Sequence, residues 1–204
     1  MLRYFLRITK IGFFRSYAKF TTLYTRLKFR ANGVRFGAKL RSNGLPILEL
    51  SLQGHISIGN NLQLNNGKYY NMIGRQQPCY FQVAKQGRLT IGNNVGISAT
   101  AIVCQLSVEI GDNTMIGGNC VIYDTDFHDL DFRKRTKQPE ELSTVKKRPV
   151  VIKNNVFVGA HSTILKGVTI GEASIIGAGS VVTKDVPAGE IWAGNPAKFI
   201  SKIS

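Results

Sequence analysis

The sequence predicts an all-β solenoid, a parallel β-helix, for most of its 204 residues. Three observations carry that expectation. β-Branched aliphatics recur every six residues, small or branched residues recur at a second fixed offset, and Gly and Asn break the chain at regular intervals. A period of six fits neither an amphipathic helix nor one long strand, whose side chains repeat every 3.6 and 2 residues.

The chain opens with a different element. From Phe13 the apolar residues Tyr17, Phe20, Tyr24 and Leu27 follow at spacings of four, three, four and three, the period of one helix face. Residues 1–45 are therefore read as a basic, helical N-terminal extension. The formal charge is +15, from 27 Lys and Arg against 12 Asp and Glu. Eleven of those cations lie in residues 1–41, and the first acid is Glu49. Two readings stay open: a helix packed on the body with a solvated basic face, or residues 1–30 lying on an anionic membrane surface, apolar side down. Arg7 and Lys10 interrupt the apolar run that a signal peptide needs. No window approaches 18 consecutive apolar residues, which excludes a spanning helix.

Residues 46–204 form the predicted β-helix domain. From Ile152 every sixth residue is Ile152, Val158, Ile164, Ile170, Ile176 and Val182. A second series, Val156, Ser162, Val168, Ser174, Ser180 and Val186, is small or β-branched throughout. Three such units make one coil, and the aliphatics stack on equivalents ~4.8 Å away in the next coil. Asn154-Asn155, Gly159, Gly171 and Gly177 suit corners with left-handed dihedrals. The pattern also appears as Ile91, Ile97 and Val103, then Ile110, Ile116 and Ile122, with a one-residue slip between Ile91 and Ile110. Ile58 and Leu64 extend it towards the head, whereas residues 65–88 are irregular. Between Ile122 and Ile152 the repeat gives way to a polar loop, 128–149, read as structureless, and long interruptions of this kind are usually functional.

The hydrophobic fraction of 43% supports a packed core and excludes global disorder. Three cysteines, Cys79, Cys104 and Cys120, are an odd number without metal-site spacing. That excludes a disulfide scaffold or a cysteine zinc site and points to a reducing compartment.

The hexapeptide repeat, the stretch Tyr123-Asp-Thr-Asp-Phe-His128, the run Ile175 to Pro187 and the tail Trp192-Ala-Gly-Asn-Pro-Ala-Lys198 resemble the hexapeptide-repeat acyltransferases. Within them the sugar O-acetyltransferases of the maltose/galactoside type, and their relatives in bacterial polysaccharide biosynthesis, are the most similar. The resemblance runs from about residue 89 to 202 and does not include the basic head. It implies a left-handed β-helix, a homotrimer, acetyl-CoA as donor co-substrate in a groove between subunits, a carbohydrate acceptor, and work in the cytoplasm, at the inner face of the membrane if the head binds lipid. No metal is implied.

The same resemblance places His128 as the general base. An alcohol is a poor nucleophile until its proton is being removed, and an imidazole is largely neutral near pH 7. His128 would take the proton as the acceptor attacks the thioester and pass it to the leaving CoA thiolate. Asp126, Asp129 and Asp131 flank it as candidates for orienting the ring or binding the acceptor; pairing with Arg133 and Arg135 is the structural alternative. Ala160, Ala178, Thr183, Lys184 and Lys198 are the implied CoA-binding positions, the alanines because a large side chain would block the pantetheine arm. Asn195-Pro196 reads as an N-cap and first helical position, hence a short C-terminal helix bearing Lys198. Trp192 packs on the last coil or on the adenine.

Rival readings differ in class. A γ-type carbonic anhydrase shares such a solenoid, but His55, His128 and His161 lack the paired spacing of its three zinc ligands. A non-catalytic basic binding protein is a second rival; for nucleic acid, there is no recognition motif. An N-acyltransferase acting on an amino sugar keeps the chemistry and changes the acceptor.

Overall fold

The computed structural model describes residues 2–203; Met1 and Ser204, the outer ends of the two predicted segments, lie outside the described residues. The body is a parallel β-helix with three faces. The first face stacks Arg35–Phe36, His55–Ile58, Arg88–Ile91, Ser107–Ile110, Val150–Ile152 and Thr169–Ile170. The second runs from Arg41–Asn43 through Gln63–Asn65, Gly96–Ser98, Met115–Ile116, Phe157–Val158 and Ile175–Ile176 to Glu190–Gly194, which pairs antiparallel with Ala197–Lys202. The third stacks Ile47–Leu50, Tyr80–Val83, Ala101–Cys104, Val121–Tyr123, Thr163–Ile164 and Val181–Val182.

The register follows the aliphatic repeat. Ile110 pairs with Ile152 and Ile152 with Ile170 on the first face, Val158 with Ile176 on the second, and Ile122 with Ile164 and Ile164 with Val182 on the third. All six residues of the predicted series from Ile152 to Val182 are fully buried. The companion serines are buried too, each with its hydroxyl satisfied: Ser162 and Ser180 donate to the carbonyls of Gly159 and Gly177, and Ser174 to that of Pro187. The Ile102 side chain, rather than Val103, stacks on Ile122, so the expected ladder was one residue out of register there. The slip is resolved locally, with five residues from Ile97 to Ile102 and eight from Ile102 to Ile110.

The corners use residues differently from the expectation. Left-handed dihedrals fall on Asn155, His161, Ala173 and Gly179, not on Gly159, Gly171 or Gly177. Gly159 is needed for a different reason: a Cβ there would collide with the backbone nitrogen of Ala178 in the next coil. At the first corner, side chains link the coils. Asn60, Asn93, Asp112 and Asn154 each accept, through Oδ1, a backbone N–H of the preceding coil at 2.6–2.8 Å. Their neighbours Asn61, Asn94, Asn113 and Asn155 pass amide hydrogen bonds along the stack to Glu172.

Both ends of the solenoid are covered. Helix α1, Leu2–Ala31, lays Thr21, Thr25 and Phe29 against the first coil, where all three are buried. Thr21 Oγ1 donates to the Ser42 carbonyl at 2.7 Å, and the Arg26 guanidinium donates twice to that of Leu40. This first coil begins at Arg35, ahead of the predicted boundary at 45/46; its second-face inward residue is the polar Ser42, which hides the repeat. The irregular segment is an excursion after Asn65 that braces α1, with Tyr70 stacked on Tyr17 and its hydroxyl donating to the Phe14 carbonyl at 3.0 Å. At the other end no C-terminal helix follows among the described residues. Asn195-Pro196 is the tip of the Glu190–Gly194/Ala197–Lys202 hairpin, because Asn and Pro serve turns as readily as helix starts. Trp192 pairs with Ile176 and packs on the last coil, its indole N–H donating to Glu190 at 2.8 Å.

Candidate active site

The chain leaves the third face at Tyr123 and rejoins the first at Val150. Asp124, fully buried, anchors the departure. Its carboxylate accepts the N–H groups of Gln105, Leu106 and Ser107 at 2.7–2.8 Å, holding the corner that absorbs the long step from Ile102 to Ile110. Burial pushes the Asp124 carboxyl up, against the lowering by those amides. The two ends of the loop zip together: Arg148 N–H donates to the Asp124 carbonyl, Asp126 N–H to that of Lys146, and Thr125 pairs antiparallel with Lys147. The loop between them is not structureless, since it holds a short helix, α2 (Phe132–Arg135), and a 3-10 turn at Leu142–Thr144.

His128 sits just past this zipper, after Phe127, which has a φ of 64° and an edge-on ring contact with Tyr123 at 5.0 Å. A bulky residue in the left-handed region is uncommon and marks a constrained turn. The His128 ring places Nδ1 2.7 Å from Glu140 Oε2. A carboxylate can only accept, so the proton of the neutral ring belongs on Nδ1 and the lone pair on Nε2. The other Glu140 oxygen accepts the Asp129 N–H at 3.2 Å, which fixes the carboxylate. The His128 hydrogen bond is the main cause holding the Glu140 carboxyl below its usual range. The His128 side chain is 64% exposed and that of Glu140 only 16%, so the ring is open to a substrate and its partner is covered.

None of the three flanking carboxylates bonds to the ring, whose side-chain partner is Glu140. Asp126 pairs with Lys166 Nζ at 2.5 Å, while its Oδ2 is buried without a partner. Asp129 accepts the Asp131 N–H and faces Lys134 at 3.7 Å; its carboxyl is lowered, first by the Thr144 hydroxyl. Asp131 caps α2 and binds the Arg133 guanidinium through both oxygens, which lowers its carboxyl. Arg135 donates to the Asp129 carbonyl rather than to a carboxylate. Sequence reasoning missed Glu140 because it lies twelve residues beyond His128 and reaches the ring only after the loop turns back.

The implied CoA positions fall at two corners. Ala160 and Ala178 stack in consecutive coils between the second and third faces, where Gly179 N–H donates to the Ala160 carbonyl at 2.8 Å. Lys198 lies beside them on the terminal hairpin, paired with Ala193, which in turn packs against Gly177. Thr183 and Lys184 follow Val182 at the next corner, two coils along from the exit that leads to His128, and are exposed. His161 shares the alanine corner, with Nδ1 3.2 Å from Asn119 Nδ2. His55 lies on the first face in a groove of about 610 Å³ with Gln53, Gln86, Arg88, Leu106, Ser107 and Pro149. Burial pushes the Cys79 and Cys104 thiols up to about 12 and Cys120 to about 11, so none supplies a thiolate near neutral pH. Among the described residues no group of three or more His, Cys, Asp or Glu is arranged to hold a metal.

Four likenesses, one to a family and three to single proteins, bear on this arrangement. Residues 149–184 match the family described as bacterial transferase hexapeptide (six repeats). The galactoside O-acetyltransferase of Escherichia coli is 38% identical over 130 residues, 63% of this chain and 60% of that enzyme. The chain spans about half the length of the curated relatives it matches. Among solved structures, a maltose O-acetyltransferase from Clostridium difficile is 32% identical with a TM-score of 0.55, covering 70% of this chain and 67% of that one. A hexapeptide-repeat acetyltransferase from Vibrio cholerae, solved with acetyl coenzyme A, is 28% identical with a TM-score of 0.56, covering 70% of this chain and 71% of its own.

Proposed function

The chain belongs to the hexapeptide-repeat transferase family, and on that premise we propose that it transfers an acetyl group from acetyl-CoA to a sugar hydroxyl. The observation that carries the reading is the His128–Glu140 pair, an exposed imidazole held by a covered carboxylate in the arrangement a general base needs. Likeness to galactoside and maltose O-acetyltransferases supports the acceptor class, and the acetyl-CoA complex of a relative supports the donor.

In this mechanism Nε2 of His128 takes the acceptor proton as the hydroxyl oxygen bonds to the thioester carbonyl carbon. The C–S bond then breaks, and the proton passes from Nε2 to the CoA sulfur, so no acyl-enzyme forms. Glu140 holds the ring and stabilises the transient imidazolium. Ala160 and Ala178 line the path of the pantetheine arm, and Thr183, Lys184 and Lys198 meet the nucleotide end. A homotrimer would form this groove between neighbouring subunits, and a bacterial surface polysaccharide or its precursor is the acceptor we favour. A reducing, cytoplasmic setting suits both three free thiols and acetyl-CoA.

The test is release of CoA from acetyl-CoA in the presence of candidate glycans and amino sugars. His128→Ala should lower kcat by about 10²- to 10⁴-fold while CoA still binds; a fully active variant would sink the assignment. Acetylation confined to amino sugars would replace the O-acetyl reading with N-acetylation.

A further inference from the structure

The face of α1 that the aromatic spacing singles out is not the face that packs on the solenoid. At about 100° per residue, Leu6, Phe13, Phe20, Leu23, Tyr24 and Leu27 fall within an arc of roughly 100°. The buried contacts Thr21 and Thr25 and the part-covered Phe14 point to the other side of the helix. Phe13, Phe20 and Leu27 remain 63%, 60% and 55% exposed. Cations border the arc on both sides, Lys19 on one and Arg3 and Lys10 on the other, and all three are exposed. No acid precedes Glu49, and the four ion pairs among the described residues lie between Asp126 and Lys166, none of them in α1.

We propose that α1 docks the enzyme on an anionic lipid bilayer, the apolar arc lying among the acyl chains at the headgroup boundary and the bordering cations on lipid phosphates. An apolar arc rimmed with basic residues is the pattern of a helix lying in the interfacial plane. The helix is not apolar enough to cross, since no described helix has a span-length apolar window. Charge selects this occupant over a second copy of the chain. Two such helices would set cation rims side by side without an acid to pair them, and Tyr17, which would complete a coiled-coil seam, is already stacked on Tyr70. The bilayer reading also goes beyond the transferase reaction, because it concerns a surface that the proposed catalytic groups do not use.

The experiment uses the full chain and sedimentation with vesicles of phosphatidylcholine alone or mixed with phosphatidylglycerol. The parent should bind the mixed vesicles and not the neutral ones, and added salt should weaken binding. Lys10→Gln with Lys19→Gln should lower partitioning about 25-fold, about fivefold for each cation removed near an anionic surface. Phe13→Ser with Phe20→Ser and Leu27→Ser should abolish it, with thermal melting as the check on folding, since all three side chains are exposed. Deleting the helix would be a poorer test, because Thr21, Thr25 and Phe29 are part of the packed end of the solenoid. Equal binding to neutral vesicles, no binding by the parent, or loss of an oligomer in the triple variant would each overturn the proposal. The last result would assign the arc to a second copy, and preferential binding to a polynucleotide over the mixed vesicles would assign it to nucleic acid.

Discussion

Asp124 offers a quantitative test of how the solenoid presents its loop. Its two oxygens receive three backbone N–H groups, Gln105 on one and Leu106 and Ser107 on the other. In Asp124→Ala all three amides lose their acceptor. The corner lies near the surface and can partly rehydrate, so a net loss of about 1 kcal/mol per bond is the fitting figure, about 3 kcal/mol in all. Asp124→Asn keeps one oxygen, which serves Leu106 and Ser107, and turns an NH2 towards Gln105, a loss of about 1 kcal/mol. For a chain of this size about 2–4 °C accompanies each kcal/mol, so melting should fall by about 6–12 °C in the alanine variant and about 2–4 °C in the asparagine variant. Thermal melts at pH 7 followed by circular dichroism, with urea midpoints as a second measure, read the difference directly. An alanine variant as stable as the parent, or an asparagine variant worse than alanine, would refute the idea that a carboxylate holds this corner. Because the loop zipper starts on the Asp124 carbonyl, the alanine variant should also lose turnover.

Two further expectations concern the site. Glu140→Gln should lower kcat by up to about 10⁴-fold, the loss seen when the carboxylate behind the catalytic histidine of a hydrolytic triad becomes an amide, with KM for acetyl-CoA unchanged. The depressed pKa of Glu140 means that its stabilising contribution is fully present above the ordinary carboxylate value, about 4.3, and is lost only as pH falls through the lower folded value. Above the range in which an imidazole titrates, from about pH 8 to 9, the parent-to-variant ratio should therefore be flat; a ratio that collapses within that window would count against the ionised pair. Ala178→Phe, at an exposed corner, should raise KM for acetyl-CoA at least tenfold with little change in melting, and an unchanged KM would remove Ala178 from the donor path.

What the sequence made legible follows the physics of local repetition. The ladder from Ile152 to Val182 could be read residue by residue, because each coil repeats the same inward-facing chemistry at the same offset. The first coil could not, since its inward position is filled by Ser42, whose hydroxyl donates to the Gly44 carbonyl and accepts from Asn66 instead of packing as an aliphatic would. Likewise the helical period in the head was visible, but the side facing the body was not. Thr21, buried with its hydroxyl bonded to Ser42 and Gly44, looks polar in sequence, and the aromatics beside it look like the core. At the candidate site His128 stood out through a local stretch of residues, whereas its partner was set by a loop that folds back twelve residues later. The terminal hairpin was misread because Asn-Pro is written into helix starts and turns alike.

The covered ends of the solenoid have a consequence for solubility. A parallel β-helix is in principle an open-ended stack, each terminal coil presenting a row of unpaired amides and carbonyls that another molecule could extend into a fibre. Here α1 closes one end with side-chain oxygens and guanidinium donors, and at the other the last parallel strand is joined edge to edge by a chain segment of opposite direction. Neither end offers a third-face, second-face and first-face template in the same register. The molecule is thus a filament architecture held to a single fixed length, and loss of either cap would be expected to show first as end-to-end aggregation rather than as unfolding of the middle coils.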